Sequence, residues 1–189
     1  VTNAFELKTG DIILISFNCY ECKLIEEETH SNYSHSGVIQ IKNGEVNVLQ
    51  ALTNVHAIKL SEFLKYKRKD TQSLILRAKE SELIEGEISQ NEFEKVYQEK
   101  FKGLKFDSFY SWENFDEEGR EKLYCSEFVS KFIDHFMIQP TIPRPMTYNL
   151  HLEFWKKYFK GNVPEGELGN SPASFLTDNR FLILGPLHD

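Results

Sequence analysis

The sequence predicts an α+β domain in which helices pack on one antiparallel sheet, and three observations carry that prediction. Asn43-Gly44 sits between two extended apolar segments. That is the strongest short hairpin signal, because a type I′ turn needs positive φ at both central residues. From Asn91 the apolar spacing takes the helical period, with Phe93, Val96, Tyr97 and Phe101 on one face. A second helical stripe runs through Cys125, Phe128, Val129, Phe132, Ile133 and Phe136 before Pro140 ends it.

Taken in chain order, Gly10-Asp11 makes a turn and residues 12–15 a short buried strand. An acid-rich stretch with Glu26, Glu27 and Glu28 reads as polar. The hairpin follows, its arms at residues 34–41 and 45–51. Ser61 is placed to cap a short helix over Glu62, Phe63 and Leu64, and residues 74–77 add another strand. Beyond the two amphipathic helices, residues 140–145 are proline-rich and irregular. Residues 150–159 form a short aromatic helix with Lys156 and Lys157, and residues 181–184 a last strand. There is no internal repeat or linker, so residues 1–189 read as one domain.

Composition narrows the function. The formal charge of −7 disfavours a nucleic-acid binder, which needs a basic face for phosphate. No apolar run approaches the ~20 residues that span a bilayer, and two lysines give residues 150–159 too little basic face for membrane contact to be expected. The chain starts at Val1 rather than Met, which suggests removal of an upstream segment and export to the periplasm or cell envelope. Cys19 and Cys22, in C-x-x-C spacing, fit a disulfide or two free thiols better than half of a zinc site with His30 and His35, since no second pair is present. Neither a metal nor a cofactor is expected.

Cys125 then stands alone, in the first turn of its helix, where unpaired amides and the helix dipole favour thiolate over thiol. Its bland alternative is a buried thiol heading an apolar face. With a two-residue turn at Asn43-Gly44, Lys42 pairs with Glu45, Gly37 with Gln50 and His35 with Leu52. Gln50 is thereby a diagonal neighbour of His35, at roughly 7–8 Å between backbones, and Asn54 is the other. Either side chain could hold the imidazole in one tautomer, the orienting role in a nucleophile, base and orienter set. Taken singly, His35 is more often a half-buried strand histidine. Glu127, two residues past Cys125, points to another helix face and reads as a solvated or dipole-favouring acid. Asp107 reads as a turn residue bonding a nearby backbone amide.

The run Gly10-Asp11-Ile12-Ile13, then Tyr33-Ser34-His35-Ser36-Gly37-Val38, Leu49-Gln50-Ala51, Gly103-Leu104-Lys105-Phe106-Asp107 and Tyr124-Cys125-Ser126-Glu127-Phe128-Val129, resembles the YiiX/YaeF-like permuted papain-like amidases. These are similar to NlpC-type cell-wall peptidases and lecithin:retinol acyltransferases, with the histidine strand preceding the cysteine helix. The resemblance implies a circularly permuted papain-like fold, a barrel-like antiparallel sheet against helices with the nucleophile at a helix N-terminus. It also implies Cys125 as nucleophile, His35 as base and Gln50 as third polar group, acting on a peptide, cell-wall fragment or lipid-like acyl substrate. The family often carries Glu where this chain has Gln50. An amide orients an imidazole without stabilising imidazolium by charge, so a lowered His35 pKa is expected.

Overall fold

The structure is a computed structural model that describes residues 5–187. Val1, on which the expectation of an upstream segment rests, lies outside them. The described residues form ten strands: β1 (Ile12–Ile15), β2 (His35–Lys42), β3 (Glu45–Ala51), β4 (Val55–Lys59), β5 (Ser73–Ala78), β6 (Asn114–Phe115), β7 (Glu121–Lys122), β8 (Arg144–Pro145), β9 (Leu168–Gly169) and β10 (Phe181–Leu187). The α-helices are α1 (Tyr20–Glu28), α2 (Leu60–Leu64), α3 (Gln90–Val96), α4 (Cys125–Ile133) and α5 (Leu152–Tyr158). Six strands make one antiparallel sheet in the order β10-β5-β1-β2-β3-β4. The other four make two short ladders, β6 with β7 and β8 with β9.

The hairpin turn takes the expected form, with φ of 52° at Asn43 and 79° at Gly44, and Lys42 faces Glu45. Close sheet packing explains Gly37: a Cβ there would come within 2.3 Å of Val48 Cγ1 and 2.9 Å of the Leu49 carbonyl. Alternation along the strands divides the core. Ile12, Leu14, Val38, Leu49 and Ala51 meet Phe93, Phe128, Val129 and Phe132 of α3 and α4. Ile13, Ile15, Ile39, Val48 and Ile75 meet Phe63 of α2 on the other face. Phe93, Phe128 and Phe132 are fully buried, and each such ring contributes about 2–3 kcal/mol of apolar burial.

Several local readings are corrected. The acid-rich stretch is the last turn of α1, and Glu26 and Glu28 are buried. They tolerate burial because donors converge on them. Glu26 Oε1 accepts from Ser16 Oγ (2.5 Å) and Ser34 Oγ (2.9 Å), while Glu28 accepts from the amides of Leu150 and His151 and from Trp155 Nε1. Ser61 is not a cap: α2 begins one residue earlier with Lys59 at its N-cap and no side-chain cap bond. β4 was not anticipated. α4 stops at Ile133, with Asp134 as C-cap, short of Phe136.

Glu127 is fully buried, contrary to the solvated reading. Its carboxylate accepts from the Tyr124 amide (3.4 Å) and from Lys131 Nζ (2.8 Å), and Lys131 also donates to Glu121 and to the Trp112 carbonyl. Burial still pushes the Glu127 carboxyl up to about 8, against the pull of Lys131. Lys131→Met removes the donor and cation that hold this buried acid, which near neutral pH stays largely protonated, and is expected to lower unfolding stability by about 1–3 kcal/mol, read by urea titration. A change within experimental error would mean the pair contributes nothing to holding α4.

Candidate active site

Cys125 opens α4, behind Tyr124 as N-cap. α4 packs across β2 and β3, which brings the thiol against the start of β2: Sγ donates to the Ser34 carbonyl at 3.9 Å, one residue before His35. The sulfur is partly open to the surface yet densely surrounded. Burial raises the thiol pKa above its ordinary value, although the amides and hydroxyls of Ser36 and Ser126 pull the other way. The expected preference for thiolate at a helix N-terminus is thus overturned. Desolvation acts on the whole charge, whereas the dipole supplies only a fraction of one.

His35 is buried between the rings of Phe17 (5.1 Å between centroids, edge-on) and Phe63 (5.6 Å, stacked). Its Nε2 lies 2.7 Å from Gln50 Oε1, the contact that the hairpin register foreshadows. Gln50 is fully buried, and its Nε2 lies 3.2 Å from His56 Nε2, on β4 directly opposite. His56 Nδ1 lies 2.9 Å from the Asn54 carbonyl and 3.0 Å from Asn54 Oδ1.

This chain of bonds assigns the tautomers. The Asn54 carbonyl can only accept, so His56 carries its proton on Nδ1 and accepts from Gln50 at Nε2. The Gln50 amide is then oriented with Oε1 toward His35, so His35 donates from Nε2 and keeps a bare lone pair on Nδ1. Gln50 and Asn54, competitors in the sequence, lie in series along one chain of bonds. Burial lowers the His35 pKa to about 4; the Gln50 bond opposes the shift and nearby His56 adds to it. With the thiol raised and the imidazole lowered, both groups are neutral at rest, and among the described residues no hydrogen bond joins them.

Beside the sulfur lies a narrow pocket of about 40 Å³, room for only a few waters. Tyr110, Tyr124, Met146, Tyr148 and Trp155 wall it, with Ser34 and Asn170 at its polar edge. Two acids of α1 frame it: Glu26 pins Ser34, and Glu28 caps the start of α5, which carries Trp155. Asn170 clamps α4, donating from Nδ2 to the Ser126 carbonyl (3.1 Å) and Ser130 Oγ (2.7 Å), while its amide donates to Tyr124 Oη (2.9 Å). The aromatic stretch around Trp155 thus walls the pocket. Tyr110 and Asn170 carried no sequence signal.

Asp107 stays outside the site as a turn residue, accepting from the Phe109 and Ser111 amides and from Asn114 Nδ2. Cys19 and Cys22 form a disulfide, so that pair offers no thiolates to a metal. Among the described residues no group of three or more His, Cys, Asp or Glu side chains is placed to hold an ion.

The sequence profile described as permuted papain-like amidase enzyme, YaeF/YiiX, C92 family, matches residues 6–184. The chain is 28% identical over 130 residues to the uncharacterized protein YiiX of Escherichia coli strain K12, covering 68% of this chain and 58% of that relative's length. The crystal structure of metalloprotein yiiX from Escherichia coli O157:H7 superposes with a TM-score of 0.77 at 22% identity, covering 98% of this chain and all of the other, a likeness of fold.

Proposed function

Because this chain belongs to the permuted papain-like amidase family C92, we propose that it is a cysteine hydrolase that cleaves amide bonds, with Cys125 as nucleophile, His35 as base and Gln50 as orienter. One observation carries the reading. The His35 Nε2–Gln50 Oε1 bond of 2.7 Å leaves Nδ1 bare and so available as a base, one residue along the chain from the Ser34 carbonyl that the Cys125 thiol meets.

In the proposed reaction Nδ1 takes the thiol proton as Sγ attacks the carbonyl carbon. The C–N bond breaks, the amine leaves with that proton, and the acyl group remains on Sγ as a thioester. Water, deprotonated by the same nitrogen, then releases the carboxylic acid and restores the thiol. The neutral resting pair makes proton transfer accompany attack rather than precede it. Unpaired amides at the start of α4 supply the oxyanion donors.

Peptides, cell-wall fragments and lipid-like acyl groups all present such a carbonyl, and the apolar walls of the pocket favour an acyl group with a hydrocarbon part. Intact-protein mass spectrometry of acid-quenched enzyme during turnover of an N-acyl p-nitroanilide is expected to show one acyl group, on Cys125 and labile to hydroxylamine. An adduct that persists in Cys125→Ala would place the chemistry elsewhere.

A further inference from the structure

Two polar atoms of the pocket are orphans. Tyr148 Oη and Asn170 Oδ1 are buried without a hydrogen-bond partner among the described residues, and each residue is only 4% exposed. Both residues line the pocket that holds Cys125. A buried hydroxyl or amide oxygen without a partner is unfavourable by an amount comparable to a lost hydrogen bond. Such groups in a native protein call for an explanation.

Their chemistry is complementary. Tyr148 Oη is free to donate. Asn170 cannot exchange its amide atoms, because Nδ2 already donates to the Ser126 carbonyl, which only accepts, so Oδ1 is left as a pure acceptor. One donor and one acceptor in a narrow apolar pocket match a group that presents a carbonyl oxygen and an N–H together. The geometry points to a secondary amide as the substrate group: Tyr148 donates to the substrate carbonyl and Asn170 Oδ1 accepts the substrate N–H. An ester offers no N–H, and sets its own oxygen lone pairs against Oδ1. The inference rests on this pocket being the substrate site of the proposed hydrolase, and it selects amides over esters within that reading. Tyr148 and Asn170 become specificity residues, beside the nucleophile and not part of the Cys-His-Gln set.

The test is binding, so that it does not depend on turnover. In Cys125→Ala, titrations followed by protein NMR would compare N-propylhexanamide, its N-methyl derivative and propyl hexanoate. The secondary amide is expected to bind roughly 10- to 100-fold more tightly than the other two, the effect of one buried hydrogen bond made or missed. Tyr148→Phe in the same background is expected to weaken all three ligands by about tenfold, leaving the amide-to-ester ratio intact. It should not lower the melting temperature, since it removes only an unpartnered hydroxyl. Equal affinity for amide and ester, or unchanged binding in Tyr148→Phe, would overturn the inference even if the wild type proves an active cysteine hydrolase. Selective amide binding supports it even if no amide is turned over, in which case the catalytic reading alone falls.

Discussion

Cys125→Ala and His35→Gln are each expected to lower kcat/KM on a cleavable N-acyl amide by at least ~10³-fold, and the double variant to fall no further. In the proposed mechanism nucleophile and base act as one unit: without the thiol there is nothing for Nδ1 to deprotonate, and without Nδ1 a thiol raised by burial stays protonated near neutral pH. Glutamine is the informative replacement at position 35, because it fills the space between Phe17 and Phe63 that alanine would leave open and so separates lost chemistry from a core cavity. Steady-state kinetics of the three proteins, with melting curves to show that each is folded, makes the comparison. Additive losses in the double variant would mean that the two residues contribute independently, and the dyad would have to be abandoned.

The hairpin was legible because its determinants are local. Asn43-Gly44 fixes the turn, the turn fixes the register, and the register places Gln50 within reach of His35 from sequence alone. What was missed depends on partners distant in the chain. Glu26 and Glu28 read only as polar, because nothing near them announces that Ser16, Ser34, Leu150, His151 and Trp155 bring the donors that make burial of a carboxylate tolerable. β4 is an edge strand with its outward side chains exposed, so its alternation is weak, and with it went the role of His56. The thiol was misjudged for the same reason. The helix dipole is a property of α4 alone, whereas the burial that outweighs it comes from elements on all sides.

The largest pH effect is expected from Gln50→Glu, which puts a carboxylate where the wild type has an amide. In the wild type the base is already neutral above about pH 4, so the acid limb of kcat/KM should fall near 4, well below the ordinary histidine value. A carboxylate at position 50 accepts the same Nε2–H but also stabilises imidazolium, which raises the pKa of His35 and moves the acid limb toward neutrality; an adjacent opposite charge typically contributes about 1–3 units. The second carboxylate oxygen would face His56 Nε2, which now accepts from Gln50. There it meets a lone pair instead of a donor, so the lower part of that range, about 1–2 units, is the expected outcome. The sign follows from the base form: His35 must be neutral to act, so a raised pKa removes activity between the old limb and the new one and leaves the rate above pH 8 little changed. Profiles of kcat/KM from pH 3.5 to 9 for the two proteins decide it. Superimposable profiles, or a wild-type limb near 6.5, would show that His35 does not titrate as a buried base and that the Gln50 bond does not govern it.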